Sequence, residues 1–269
     1  MQEPPDLPTS NDPFSSQPSR LPENSSPITP PPLPARGPVI SFDVIGDAWN
    51  LFRADMAIWM GAAFLYLVVS SALTFWMLAT LPDPATGRQF SPTFFVALLV
   101  FGLVATFFHG GMFRIALGQI RSGRARFGDF WSSIDVFPAL FVVTFLEVLA
   151  IIAGSCFCLL PGLLLMGLLL FAAPLVVDPQ KKMGVMASLS TSFQVLKPQM
   201  WMALAFALVC YLLANAGQML CGIGIIVSLP LFYLAITLAY RDFFFSDQSP
   251  PSISPMAWQA PPPIADPNR

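Results

Sequence analysis

The run Ala139–Val177, ALFVVTFLEVLAIIAGSCFCLLPGLLLMGLLLFAAPLVV, holds a single charged side chain, Glu147, and its reading decides the fold. Wound as one helix at ~1.5 Å per residue it would reach roughly 58 Å, about twice the ~30 Å hydrocarbon core of a bilayer. Pro161-Gly162 interrupts it. Proline removes a backbone donor and glycine tolerates a reversal, so the run is predicted to be a helical hairpin that crosses a membrane twice, turning at Pro161-Gly162.

Working outward, four further stretches have spanning length. The six spans are predicted at about Met56–Thr80, Thr93–Leu117, Ala139–Cys158, Leu160–Val177, Gln199–Gln218 and Gly222–Phe244. The chain is 55% hydrophobic and 10% charged, with a mean hydropathy of +0.67. Soluble domains carry about 25% charged residues, so these apolar faces are expected to meet lipid. Fold class is therefore all-α, a polytopic membrane protein.

Charge gives the orientation. Arg20, Arg36 and Arg53 precede the first span; Arg114, Arg121, Arg124 and Arg126 lie at or after the end of the second; Lys181, Lys182 and Lys197 separate the fourth and fifth; Arg241 and Arg269 close the chain. With six alternating helices these twelve share one face, and only Arg88 lies on the other. The positive-inside rule then puts both termini in the cytoplasm, and a bacterial cytoplasmic membrane is the expected location. The N-terminal region lacks the basic start and apolar run of a cleaved signal peptide, so the first span is expected to act as an uncleaved signal.

The domain organisation follows. Residues 1–40 and 246–269 are expected to be disordered, proline-rich cytoplasmic tails around a six-helix domain at 41–245. Twelve of the 28 prolines fall in residues 1–38 and seven in 246–269, a composition poor in large apolar side chains and backbone donors. Pro31-Pro32-Leu33-Pro34-Ala35-Arg36 fits a PxxPxR ligand pattern, although so proline-dense a tail matches it easily.

Before each odd-numbered span, apolar residues recur at i, i+3, i+7 and i+10: Phe42, Ile45, Trp49, Phe52; Phe127, Phe130, Ile134, Phe137; Met186, Leu189, Phe193, Leu196. Each set lies on one face of a helix. Opposite lie Asp43, Asp47, Asn50 and Arg53, then Asp129, Ser133 and Asp135, then Ser188, Ser190, Ser192 and Gln194. The expected unit is an amphipathic interfacial helix, apolar face in the headgroup boundary, followed by a hairpin and used three times.

Several motifs in order carry a resemblance. They are Leu159-Leu160-Pro161-Gly162, then Ala173-Pro174-Leu175-Val176-Val177-Asp178, then Ala187-Ser188-Leu189-Ser190 leading to Trp201, then Gly222-Ile223-Gly224, Pro230-Leu231 and Tyr240-Arg241-Asp242. Over roughly residues 40–245 the chain resembles the glycerophosphoryl diester phosphodiesterase membrane-domain family and its uncharacterised six-helix bacterial relatives. Some members of that family carry a fused soluble phosphodiesterase domain that uses histidines, carboxylates and a metal. This chain has one histidine and no stretch outside the spans able to form such a domain. The resemblance thus implies a stand-alone membrane module without hydrolase activity.

Chemistry-bearing residues are few. Glu147 is placed near the midplane, where an ionisable group suggests a relay or polar cavity, or else a carboxyl hydrogen-bonded to a neighbouring helix. His109 is its candidate partner, although counting residues puts it nearer the cytosol. Gly110-Gly111 reads as a close-packing point. Ser155 and His109 are too far apart for a nucleophile–base pair. Cys156, Cys158 and Cys221 map to outward hairpin ends, where a disulfide or free thiols are both open readings. Asn215 and Gln218 read as interhelical hydrogen bonders, and Pro174 and Pro230 as kinks.

No catalytic set, cofactor or metal site is predicted, and a net charge of −2 gives no nucleic-acid footprint. Membrane lipids are the expected partner, with Arg121, Arg124, Arg126, Lys181 and Lys182 drawing anionic headgroups. A further membrane or cytoplasmic protein is expected through the tails. The leading expectation is a non-enzymatic module that organises lipids or a partner protein. The competing one is a small transporter or channel centred on Glu147.

Overall fold

The computed structural model describes residues 39–82, 91–219 and 224–245. The PxxPxR match, Arg20, Arg36, Arg88, Arg269 and Cys221 lie outside the described residues. Helix α1 (Val44–Ala54) leads through Asp55 into α2 (Met56–Ala79), and α3 spans Pro92–Ser122. A short α4 (Phe127–Trp131) and a 3-10 turn at Ser132–Val136 precede α5 (Phe137–Phe157). Then come α6 (Leu159–Leu168), α7 (Ala172–Val177), α8 (Val185–Leu196), a 3-10 turn at Lys197–Gln199, α9 (Met200–Met219) and α10 (Ile225–Phe244). Among the described residues the secondary structure is helical throughout, and six helical runs are long and apolar enough to cross a membrane. That is the build of a multi-pass membrane protein.

The boundaries have local causes. Pro92 opens α3, where its missing N–H would have had no partner inside the helix anyway. Gly123, at φ 73°, closes the helix in the left-handed region with its N–H on the carbonyl of Gln119. Between the third and fourth spans the chain reverses at Cys158, whose backbone is extended, and not at Pro161-Gly162. Pro161 sits in the first turn of α6, another place where a missing N–H is tolerated. Gly162 serves packing: a Cβ there would lie 2.9 Å from the carbonyl oxygen of Ile151 and press on Ser155 Oγ.

Position within the bundle separates the spans. For the span containing α10, 78% of the most apolar window is buried inside the protein, against 11% for the run that contains α5. Helix α10 packs against α1, α2, α3 and α9, so the spans sit in unequal surroundings. Helix α1 lays Val44, Ala48 and Phe52 inward, while Phe42 and Trp49 of the predicted apolar face stay exposed. Ile40 is buried too, and its N–H donates to Gln199 Oε1 at 3.2 Å, tying the start of the domain to the turn before α9.

The fourth span is broken. Residues 169–171 form a turn between α6 and α7, so Pro174 follows a break and does not kink a continuous helix; α10, by contrast, runs on through Pro230. Pro174 has no N–H to offer the carbonyl of Leu170 four residues earlier. At the turn itself Ser192 of α8 bridges two other backbone groups, its Oγ accepting from the N–H of Phe171 at 3.1 Å and donating to the carbonyl of Leu168 at 2.8 Å. In α8 Ser188 and Ser192 are buried while Met186 and Phe193 are exposed; Ser192 bonds the broken span, and Ser188 bonds the carbonyl of Val185 in its own helix.

Gly110 and Gly111 act as the packing point expected of them. A Cβ on Gly110 would come 2.5 Å from Leu140 Cδ2, and one on Gly111 would enter the ring of Phe130. Two bare positions on α3 thereby seat α5 and α4. Without a hydrophobic force between helices in lipid, such close van der Waals contact is what holds a bundle together.

Candidate functional site

Glu147 stands ten residues from either end of α5, counting 147 − 137 and 157 − 147. Its carboxyl lines a chamber of about 130 Å³. The other polar contributors are His109 of α3, Thr144 of α5 and Tyr211 of α9. The wall includes Phe113 of α3 and Phe232 of α10, and Leu169 and Leu170 from the break in the fourth span. Helices α3, α5, α6, α9 and α10 contact one another in that order, and α10 closes back on α3. Residues of all five line the chamber, and two of its wall residues, Val148 and Tyr211, are exposed.

Glu147 and His109, expected at different depths, share this chamber. Helix α3 runs on to Ser122, five residues past the predicted end at Leu117, and packs His109 against the same chamber as Glu147. They are not hydrogen-bonded to each other. His109 Nδ1 lies 3.0 Å from the hydroxyl of Tyr233. Glu147 forms no hydrogen bond or ion pair among the described residues, and Thr144 Oγ1 is buried without a partner. Thr144 precedes Glu147 by three residues and so shares its helix face, a signal the sequence carried.

A continuous aromatic surface borders the chamber. Ring centroids of His109 and Phe113 are 4.8 Å apart, Phe113 and Tyr233 5.0 Å, Tyr233 and Phe232 5.2 Å, and Phe232 and Tyr211 5.3 Å. Most of these contacts are edge-to-face or tilted, as the ring quadrupole favours.

A second polar set ties one end of the bundle. Asp178, fully buried, receives Arg121 Nη2 at 2.6 Å and the N–H of Gln180 at 2.8 Å on Oδ1, and the Tyr240 hydroxyl at 2.9 Å on Oδ2. Arg114 Nη2 donates to both oxygens of Asp135 at 2.9 and 3.1 Å. Gln119 accepts from Trp59 Nε1 at 2.8 Å and donates to the carbonyl of Leu51 and to Asp55.

This set corrects one expected lipid contact. Arg121 turns inward to Asp178 and stacks on Phe245, because a buried carboxylate without a cation would be costly. Arg124, Arg126, Lys181 and Lys182 are exposed, with Lys181 Nζ 4.4 Å above the Phe244 ring.

Other expectations resolve locally. Asn215 bonds the carbonyl of Tyr211 in its own helix, not a neighbour, and Gln218 is exposed. Cys156 and Cys158 are exposed free thiols, and Cys210 is buried. Ser155 packs on Gly162 at the α5–α6 turn, away from His109. Among the described residues no cluster of histidine, cysteine and carboxylate side chains could hold a metal ion. Comparison with known family models, with curated proteins and with solved structures finds no match.

Proposed function

We propose that this chain is a small transporter or channel of a bacterial cytoplasmic membrane, with both termini inside and a solute site at Glu147. One observation carries the reading: a carboxyl with no hydrogen bond or ion pair among the described residues lines a chamber walled by five helices, beside a broken span. An intramembrane carboxyl is costly, and non-helical backbone at that depth is tolerated where it is buried or lines a cavity. Broken helices at such depth are a recurring feature of solute sites in transporters. No catalytic role is assigned.

The test is access from water. In a chain whose native cysteines are replaced by alanine, Thr144→Cys is expected to react with a small charged thiol reagent, whereas Ala63→Cys, buried on α2, stays unlabelled. An unreactive Thr144→Cys in folded protein would sink the proposal.

A second reading, a non-enzymatic module that organises lipids or a partner protein, is favoured by exposed Arg124, Arg126, Lys181 and Lys182. They neighbour exposed Phe127, Trp131, Met186 and Phe193 on the short helices. Used as interfacial anchors before each hairpin, those helices would form the threefold repeat. Each basic residue near an anionic surface contributes about 1 kcal/mol. The resemblance to the glycerophosphoryl diester phosphodiesterase membrane-domain family fits either reading, since it implies a membrane module alone. Neutralising the four residues is expected to weaken binding to anionic vesicles; unchanged binding rejects the lipid role.

A further inference from the structure

The chamber at Glu147 combines features that specify a ligand class beyond "solute". It is lined by the carboxyl-bearing Glu147, by His109 and Thr144, and by aromatic rings from three helices, α3, α9 and α10. We propose that it binds a small organic ammonium ion, a primary to quaternary amine of about four or five heavy atoms. This rests on reading the chamber as a solute site.

Size comes first. A volume of about 130 Å³ holds roughly four groups the size of water, at ~30 Å³ each. That admits a methylated ammonium ion.

Charge comes next. Among the described residues Glu147 is the one acidic side chain lining the chamber, and no arginine or lysine lines it. An anion would meet that carboxyl with no arginine or lysine to balance it. A cation would supply the partner that the protein does not.

The aromatic wall then separates organic from inorganic cations. A desolvated metal ion needs several oxygen or nitrogen ligands, commonly six or more for calcium and magnesium. The wall's polar side chains are Glu147, His109, Thr144 and Tyr211, and among the described residues no group of three histidine, cysteine or carboxylate side chains could hold a metal ion. Phe113, Tyr211 and Phe232 present π-electrons instead, and a ring face attracts an alkylammonium by ~0.5–2 kcal/mol without asking it for hydrogen bonds. Thr144 can take an N–H where the amine has one.

The probe is tetramethylammonium chloride, titrated calorimetrically into the purified full-length protein in lipid nanodiscs. Sodium chloride serves as the ionic control and tert-butanol as a neutral molecule of similar shape. Saturable binding of tetramethylammonium is expected, with none for tert-butanol. Glu147→Gln is expected to weaken it at least tenfold, Glu147→Asp only several-fold, and Phe232→Leu several-fold. Monodisperse elution shows that each variant folds.

Equal affinity in Glu147→Gln, or equal binding of tert-butanol, overturns the assignment. So does absence of binding in wild type while Thr144→Cys is labelled from water, an outcome that leaves the transport reading standing. Absence of both binding and labelling removes the two together.

Discussion

The hydroxyl of Ser192 accepts the backbone N–H of Phe171 at 3.1 Å and so completes a helix it does not belong to. The same oxygen donates to Leu168, on the other side of the break. A span that is interrupted within an apolar bundle is thus repaired by a side chain from α8.

Ser192→Ala should destabilise the protein by about 1–3 kcal/mol, the cost of leaving buried backbone groups unpaired. Ser190→Ala, on the exposed face of the same helix, should change little. Thermal unfolding in detergent distinguishes them; equal melting temperatures would show that the break needs no repair.

Asp178→Asn should cost about 3 kcal/mol by leaving Arg121 half-buried without its counter-charge. Tyr240→Phe, which removes only the hydroxyl on Oδ2, should cost about 1 kcal/mol. Combining Arg121→Gln with Asp178→Asn should cost less than the sum of the single changes. A double-mutant cycle read by denaturant titration measures the coupling. Strict additivity contradicts the pairing.

Gly111→Ala drives a methyl into the Phe130 ring and is expected to lower stability by about 1–3 kcal/mol. Gly102→Ala lies on the same helix with nothing within 4 Å of the new methyl, and should be neutral or mildly stabilising. The sign of the difference in melting temperature is the readout.

Topology predicts a labelling asymmetry. A membrane-impermeant maleimide added to intact spheroplasts should modify Cys158, at the turn after the third span, and leave Cys210 untouched until the protein is denatured. A reporter fused to Arg269 should be active on the inner side only. The reverse pattern inverts the orientation.

The spans were legible because hydropathy over some twenty residues is a strong signal, and α2, α5 and α9 end within about two residues of where it placed them. Those spans also leave the gap beside Cys158, but the sequence reading puts the reversal at Pro161-Gly162, since proline suits a loop as well as the first turn of a helix. Periodicity identified the apolar stripe of α8 but could not reveal that Ser192 on its other face would bond a broken neighbour. Nothing before Pro174 announced that break. Of the chamber, Glu147 and His109 stood out as ionisable groups in apolar runs. Thr144, Tyr211 and Tyr233 did not, because a lone hydroxyl in a span is ordinary until the packing brings several together.

The most enclosed span is also the last of the six to leave the ribosome. Until α10 is delivered, α1, α2, α3 and α9 lack the neighbour against which they are shaped. Assembly must therefore finish after synthesis of residue 244 and cannot proceed hairpin by hairpin to completion. Nascent chains arrested before Ile225 should accumulate as substrates for membrane quality-control proteases, even though five of their spans are already inserted.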